Sequence, residues 1–389
     1  MFLSKAISTS LKVSRGRLAK EMLHGGDVLS YRDLFAGELT DFSSNINPLG
    51  FPTELKQALA ENSAALCAYP DRYYRKLKQA AAEYLHCEPQ EIIVGNGAME
   101  IIDAFICDFD SVIVCPPCFS EYEIRAAVHK KNITFVPQLY QTRFLLDEQN
   151  IKNALQEKSV LVLTNPNNPT GRTIGVEQLE RIYQAVIEKN AFLLLDETFV
   201  EFTELGYDSI SLFKKHGYKN LAIIRAATKF FGLPGLRLAY ACAAEKTAEE
   251  VSSKMLSWHV NAAAEIAGSV IFRDSDYIAK TKALIKAERA FLQTALAQCP
   301  AVQVVKSDAN FILLRLRIST AEQAFDFFVR RGIILRKANS FFSAFEKSHT
   351  PELARAEWIR IAVKNHADNE KLISVFQQWC SELGLYFGR

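Results

Sequence analysis

Between residues 92 and 244 one pattern repeats. A short continuous apolar run is followed by a turn rich in Gly, Pro, Asn or Asp, and then often by a stretch of helical period. The runs at 92–94, 112–115, 133–136, 160–164, 192–195, 221–224 and 238–244 are too short for buried helices and read as strands. Helical patterns at 98–107, 121–129 and 176–188 separate several of them, and two more, at 52–65 and 73–85, precede them. Strands that are apolar on both sides and alternate with helices predict an α/β fold: a mostly parallel central sheet with helices on both faces. Ligands of such sheets bind at the carboxyl ends of the strands, so the residues just after each run carry the functional information.

After residue 260 the order changes. A long helical region at 261–298 ends at Pro300. Strands at 302–305, 311–316, 333–335 and 358–363 then mix with helices at 321–331 and 368–383, which predicts a smaller α+β C-terminal domain. The expected division is an N-terminal arm at 1–52, a large domain at 53–260 and a small domain at 261–389. A chain of 389 residues accommodates this easily.

Composition excludes several classes. The formal net charge of +2 gives no reason to expect a nucleic acid or an acidic membrane as partner. No apolar run approaches the roughly 18 residues of a membrane span. Eight scattered cysteines are sparse for this length and favour a reduced, cytoplasmic protein. Cys115-Pro-Pro-Cys118 is an isolated CxxC without the second pair or histidines a metal site wants, so no metal is expected. Residues 1–20 carry five basic residues and no acid; a transit peptide is one reading and a flexible basic tail the preferred one.

Four post-strand segments bear chemistry. Gly95-Asn-Gly97-Ala98-Met99 opens a helix, and a helix N-terminus with glycines at its mouth binds anions; glycine is also common in any strand-to-helix turn. Thr164-Asn-Pro-Asn-Asn-Pro-Thr-Gly171 is stiffened by two prolines, which fixes its asparagine amides. Asp196-Glu197 ends an apolar run, where a buried carboxylate needs a partner unless it caps a helix. Thr228-Lys229 lies between a strand and a Gly/Pro turn, with Arg237 eight residues on. A partly buried lysine has a lowered pKa and an amine able to form a Schiff base with a carbonyl, and an arginine suits a fixed phosphate.

Taken together, Asn168-Pro-Thr-Gly171, Asp196-Glu197 and Thr228-Lys229 with Arg237 resemble the fold-type I pyridoxal-phosphate enzymes of the aminotransferase superfamily. The nearest branch holds histidinol-phosphate aminotransferase and the cobalamin-pathway threonine-phosphate decarboxylase, and the resemblance spans residues 24–379. It implies pyridoxal 5'-phosphate as cofactor. Lys229 would hold it covalently and shuttle protons, and Asp196 would pair with the protonated ring nitrogen. Asn168 would bond the ring hydroxyl, and Phe119 would stack on the ring. Ala98 and Met99 amides, Thr228 and Arg237 would surround the phosphate, reached by Tyr69 from the second subunit of a homodimer. Arg336 and Arg360 would grip substrate anions.

Three positions depart from the transaminase pattern. Phe199 and Phe119 stand where tyrosines are usual, and Ala226 replaces a phosphate-binding hydroxyl residue. The segment 341–357 is also longer than the family's link between the two arginines. His24-Gly-Gly26 and Asn45-Ile-Asn-Pro-Leu-Gly50 resemble the decarboxylase, with His24 and Asn45 at substrate anionic groups; an ordered N-terminal turn is the alternative. In these enzymes the bond held perpendicular to the cofactor ring breaks, so the anion-binding groups choose between losing CO2 and losing the Cα proton. The resemblance thus implies decarboxylation of L-threonine O-3-phosphate, or of L-serine O-phosphate, to aminopropanol or ethanolamine phosphate for a cobamide nucleotide loop. Histidinol-phosphate aminotransferase or a related transaminase is the second reading, and a non-catalytic fold-type I binding protein a third.

Overall fold

A computed structural model of the chain describes residues 24–342 and 356–388. The basic tail and most of the 341–357 segment lie outside the described residues.

The chain opens with strand β1 (Thr40–Asp41) and helices α1 (Thr53–Glu61) and α2 (Arg75–Leu85). The alternating region follows: β2 (Ile92–Gly95), α3 (Ala98–Ile106), β3 (Ser111–Val114), α4 (Glu121–Val128), β4 (Asn132–Phe135), α5 (Glu148–Ala154), β5 (Ser159–Thr164), α6 (Val176–Glu188), β6 (Phe192–Asp196), α7 (Ser209–Lys214), β7 (Leu221–Ala226), β8 (Ala239–Ala243) and α8 (Glu245–Lys254). The last part holds α9 (Ala262–Ile271), α10 (Ser275–Ala297), β9 (Val302–Val304), β10 (Phe311–Leu316), α11 (Ala321–Val329), β11 (Ile333–Ile334), β12 (Arg336–Lys337), β13 (Glu357–Ala362) and α12 (His366–Glu382).

Seven strands form the central sheet in the order β2-β8-β7-β6-β5-β3-β4. All are parallel except β8, which runs antiparallel to both neighbours. The reason is local. Parallel strands need a long crossover, usually a helix, and only the loop 227–238 joins β7 to β8. That loop carries Lys229, so the one reversal of the sheet turns at the lysine. Every residue of β3, β5, β6, β7 and β8 is buried, as expected of strands covered on both faces. Helix α6 shows the covering device: Leu179, Ile182, Tyr183 and Val186 recur at helical spacing and are buried. Each such side chain contributes roughly 1.5–3 kcal/mol.

A second, antiparallel sheet has the order β12-β13-β10-β9. Its register sets Arg336 of β12 directly opposite Arg360 of β13. The expected strand at 333–335 is divided. Ile333 and Ile334 instead pair in parallel with Thr40 and Asp41, which ties the N-terminal segment to this part of the molecule. The region expected as one helix at 261–298 is two, because Asp274 accepts a hydrogen bond from the Tyr277 amide at 2.9 Å and caps a new start. The helix expected at 52–65 ends at Glu61 and continues as a 3-10 turn. Among the described residues no helix is long and apolar enough to cross a membrane.

Candidate active site

The carboxyl ends of β2, β5, β6 and β7 and the residues after β3 open into a cavity of about 210 Å³, closed on its far side by the two arginine strands and residues 43–45. It is lined by His24, Asn45, Ala98, Met99, Phe119, Asn168, Asp196, Thr228, Lys229, Arg237, Arg336 and Arg360. Twelve widely separated candidates thus share one wall system. Tyr69 stands apart: it is 81% exposed and packs on Trp258 with ring centroids 4.8 Å apart.

Lys229 is fixed through its own carbonyl, which accepts from the amides of Asn47 (3.1 Å) and Gly232 (3.3 Å). Burial lowers its amine to about 8, helped by the positive charges of Arg360 and Arg237 and opposed by Asp41. The amine therefore loses its proton far more readily than a surface lysine.

Asp196 ends β6 and caps no α-helix. Its Oδ2 accepts from the Tyr122 hydroxyl at 2.6 Å, and its Oδ1 from the Thr198 hydroxyl at 2.6 Å and amide at 2.9 Å. Glu197 serves the scaffold: fully buried, it accepts from the Arg225 guanidinium at 2.9 Å and from Ser209. Burial pushes its carboxyl up even so.

The first turn of α3 and Arg237 lie against each other on the cavity wall. Gly97 has φ +85, and a Cβ there would lie 2.0 Å from an Arg237 nitrogen. Glycine is thus required twice, for the backbone angle and for the guanidinium. Arg237 also has positive φ and donates to the Pro234 carbonyl at 3.2 Å. Thr228 lines the same end, and so does Ala226, which is 1% exposed and brings no hydroxyl.

At the opposite end, Arg360 donates to the Asn168 side-chain oxygen at 2.5 Å and to the Ser43 carbonyl at 2.9 Å, both neutral acceptors. Its Nε is buried with no hydrogen-bond partner. Arg336 donates to Ser340 at 2.9 Å. Both guanidinium groups lie 5.2 Å from the Phe341 ring. Burial lowers Arg360 to about 9, with Arg336 adding repulsion, and lowers Arg336 to about 10. The Asn45 side-chain oxygen is also buried without a partner, while its backbone carbonyl accepts from Asn310 at 3.0 Å. His24 closes the rim, 2.8 Å from Glu121 and edge-on to Phe119.

Tyr122, Thr198, Thr164, Ser43 and Phe341 were not foreseen. Tyr122 carries the one available signal, a polar-tipped aromatic three residues after Phe119 at the start of a helix. Of the CxxC pair, Cys115 is buried and its thiol is pushed up to about 12.

The family model "Aminotransferase class I and II" matches residues 37–376. A Caldanaerobacter subterraneus subsp. tengcongensis protein with a provisional threonine-phosphate decarboxylase name is 34% identical, over 94% of this chain and 96% of its own. The threonine-phosphate decarboxylase of Salmonella typhimurium is 29% identical, over 91% and 95%. The crystal structure of histidinol-phosphate aminotransferase from Clostridium acetobutylicum superposes with a TM-score of 0.81 at 30% identity, covering 88% of this chain and 99% of that one. With a family match over most of its length and folded relatives of the same architecture, the chain belongs to the aminotransferase class I and II family.

Proposed function

We propose that the protein decarboxylates L-threonine O-3-phosphate with pyridoxal 5'-phosphate as cofactor. One observation carries the choice of substrate class: two buried guanidinium groups lie side by side on paired strands, and Arg360 spends its donors on neutral oxygens. A buried guanidinium met only by neutral oxygens is costly without an anion, and a substrate bearing a carboxylate or a phosphate supplies one to Arg360.

The cavity also fits the cofactor. The glycine-mouthed helix lets the Arg237 guanidinium pack directly against its first turn, a pairing of helix N-terminus and cation that suits a phosphate. A buried aspartate and a lysine of lowered pKa line the same cavity. Lys229 would hold the cofactor aldehyde, Asp196 its ring nitrogen, Asn168 its hydroxyl and Phe119 its face, with Ala98, Met99, Thr228 and Arg237 around its phosphate. When bound, the cofactor supplies a carbonyl for the substrate amine and a ring that stores the electron pair left on Cα. The remaining work falls to the chain. Arg360 and Arg336 would take the two substrate anions, and His24 and Asn45 would complete their coordination at the rim. Their joint grip would orient the carboxylate for departure, and the Lys229 amine would deliver a proton at Cα. Phe341 and Phe119 exclude water around the leaving carboxylate.

Around this site, residues 53–260 form a large cofactor-binding unit and 261–389 a smaller one, with 1–52 as arm. The working form is a cytoplasmic homodimer in which Tyr69 serves the opposite cavity; its exposure outside its own cavity supports this. A relative named as an adenosylcobalamin biosynthesis protein supports a role in cobamide assembly. Histidinol-phosphate aminotransferases share the family and the fold, so the products decide. Cofactor-loaded protein is incubated with L-threonine phosphate, with L-serine phosphate, and with histidinol phosphate plus 2-oxoglutarate. CO2 without glutamate is the expected result, and the faster phosphoamino acid names the substrate. Glutamate without CO2 makes the protein a transaminase; neither product, with no yellow cofactor adduct, makes it a binding protein.

A further inference from the structure

Away from the cavity, three metal-ligating side chains converge. Cys87 lies two residues after α2, and Glu91 ends the 3-10 turn Pro89–Glu91 that leads into β2. Cys242 sits on β8, opposite Ile92 of β2 and Ile223 of β7. The two sulfurs and a carboxylate oxygen lie within 4.8 Å of one another. Both cysteines are buried; Glu91 is half-buried and forms the open side.

A separate observation points at the same spot. Tyr218 is fully buried, and its hydroxyl has no hydrogen-bond partner of ordinary geometry. It faces Cys242, with Cys87 and Glu91 close enough for their charges to act on it. An unsatisfied buried hydroxyl costs about 1–3 kcal/mol, and thiols are weak acceptors. A thiolate is a much better one. A bound cation supplies one, because a coordinated thiol is deprotonated outright.

The donor set selects the ion. Calcium and magnesium take six or more oxygens, which are absent here. Two sulfurs and one carboxylate oxygen suit a four-coordinate, borderline-soft ion. We propose that Cys87, Cys242 and Glu91 bind one Zn2+ per chain, with the Tyr218 hydroxyl donating to a sulfur and water entering from the Glu91 side as fourth ligand. Binding exchanges all but one of the ion's waters for two Zn–S bonds and one Zn–O bond to the chain and releases the two thiol protons to solvent, with no redox change. The ion staples the corner before β2 to β8, toward the end of the sheet away from the cavity.

The test uses full-length, cofactor-loaded protein kept reduced with a phosphine and titrated with Co2+, which reports its ligands by colour. The expected result is one equivalent bound, with thiolate charge-transfer absorption and the intense ligand-field bands of a tetrahedral site, displaced by Zn2+. Cys87→Ser and Cys242→Ser abolish the bands, Glu91→Gln weakens binding at least about tenfold, and Cys380→Ser leaves everything unchanged. Because either buried serine can impair folding, Glu91→Cys provides a gain: a third thiolate raises the charge-transfer intensity. Absence of cobalt absorption in the wild type, bands that survive both serine variants, or a spectrum that Glu91→Cys leaves unaltered would each overturn the proposal.

Discussion

A lysine amine adds to a carbonyl only after losing its proton, so the surroundings of Lys229 set when it can react. With its amine lowered to about 8, the neutral fraction climbs tenfold per pH unit below that value and levels above it. Borohydride trapping of pyridoxal phosphate by the cofactor-free protein should follow that curve and plateau near pH 9; a rate still rising at pH 10 would mark an ordinary lysine. The sign for stability agrees. The fold disfavours the charged amine, so the cofactor-free protein gains stability as pH rises from about 8 toward the unperturbed lysine value. Tyr122→Phe removes one of the hydrogen bonds on Asp196 and keeps the ring. A hydrogen bond to a charged group contributes roughly 1.5–3 kcal/mol, so kcat/KM should fall about 10-fold to 100-fold with cofactor stoichiometry intact. Wild-type kinetics would show that Thr198 alone suffices. At this scale the sequence was legible where a rare residue type follows an apolar run, as with Lys229 and Asp196. It was silent on Phe341 and gave only a polar-tipped aromatic at a helix start for Tyr122; both reach the cavity through packing between elements distant in the chain.

Helix α3 and Arg237 act as one piece, because the guanidinium lies where a side chain at position 97 would go. Gly97→Ala meets both a positive φ and that contact. The substitution should destabilise the protein by more than about 1 kcal/mol and weaken phosphate-group capture far more than Schiff-base formation. Comparing pyridoxal with pyridoxal phosphate reads this directly: only the phosphorylated form should lose affinity. The strands were legible because parallel strands buried on both faces must be apolar throughout. Helices α5, α7 and α8 were not; α8 buries only Ala248 and Val251 and has almost no apolar stripe to read. The break at Phe272 was missed for a different reason: apolar spacing continues across it, and the Asp274 cap alone divides the helix.

The whole molecule raises the question of how many chains complete a site. Lys229→Ala and Tyr69→Ala chains should each be nearly inactive. Mixed, denatured and refolded together, they should regain activity, because the hybrid holds one cavity with both residues intact. No recovery beyond the Tyr69→Ala level would place that tyrosine in its own chain's service.

The segment around Ser43 has a consequence for the order of events in synthesis. Its carbonyl is held by Arg360, 317 residues downstream, and its neighbouring strand pairs with Ile333 and Ile334. The sheet bearing Lys229 and Asp196 can form while the chain is still emerging, since domains fold as their sequence appears. The wall built by Arg336 and Arg360 is incomplete until β13 leaves the ribosome. A chain truncated before β13 should therefore still acquire the central sheet yet handle no substrate, and cofactor present during translation would meet its lysine before the cavity is complete.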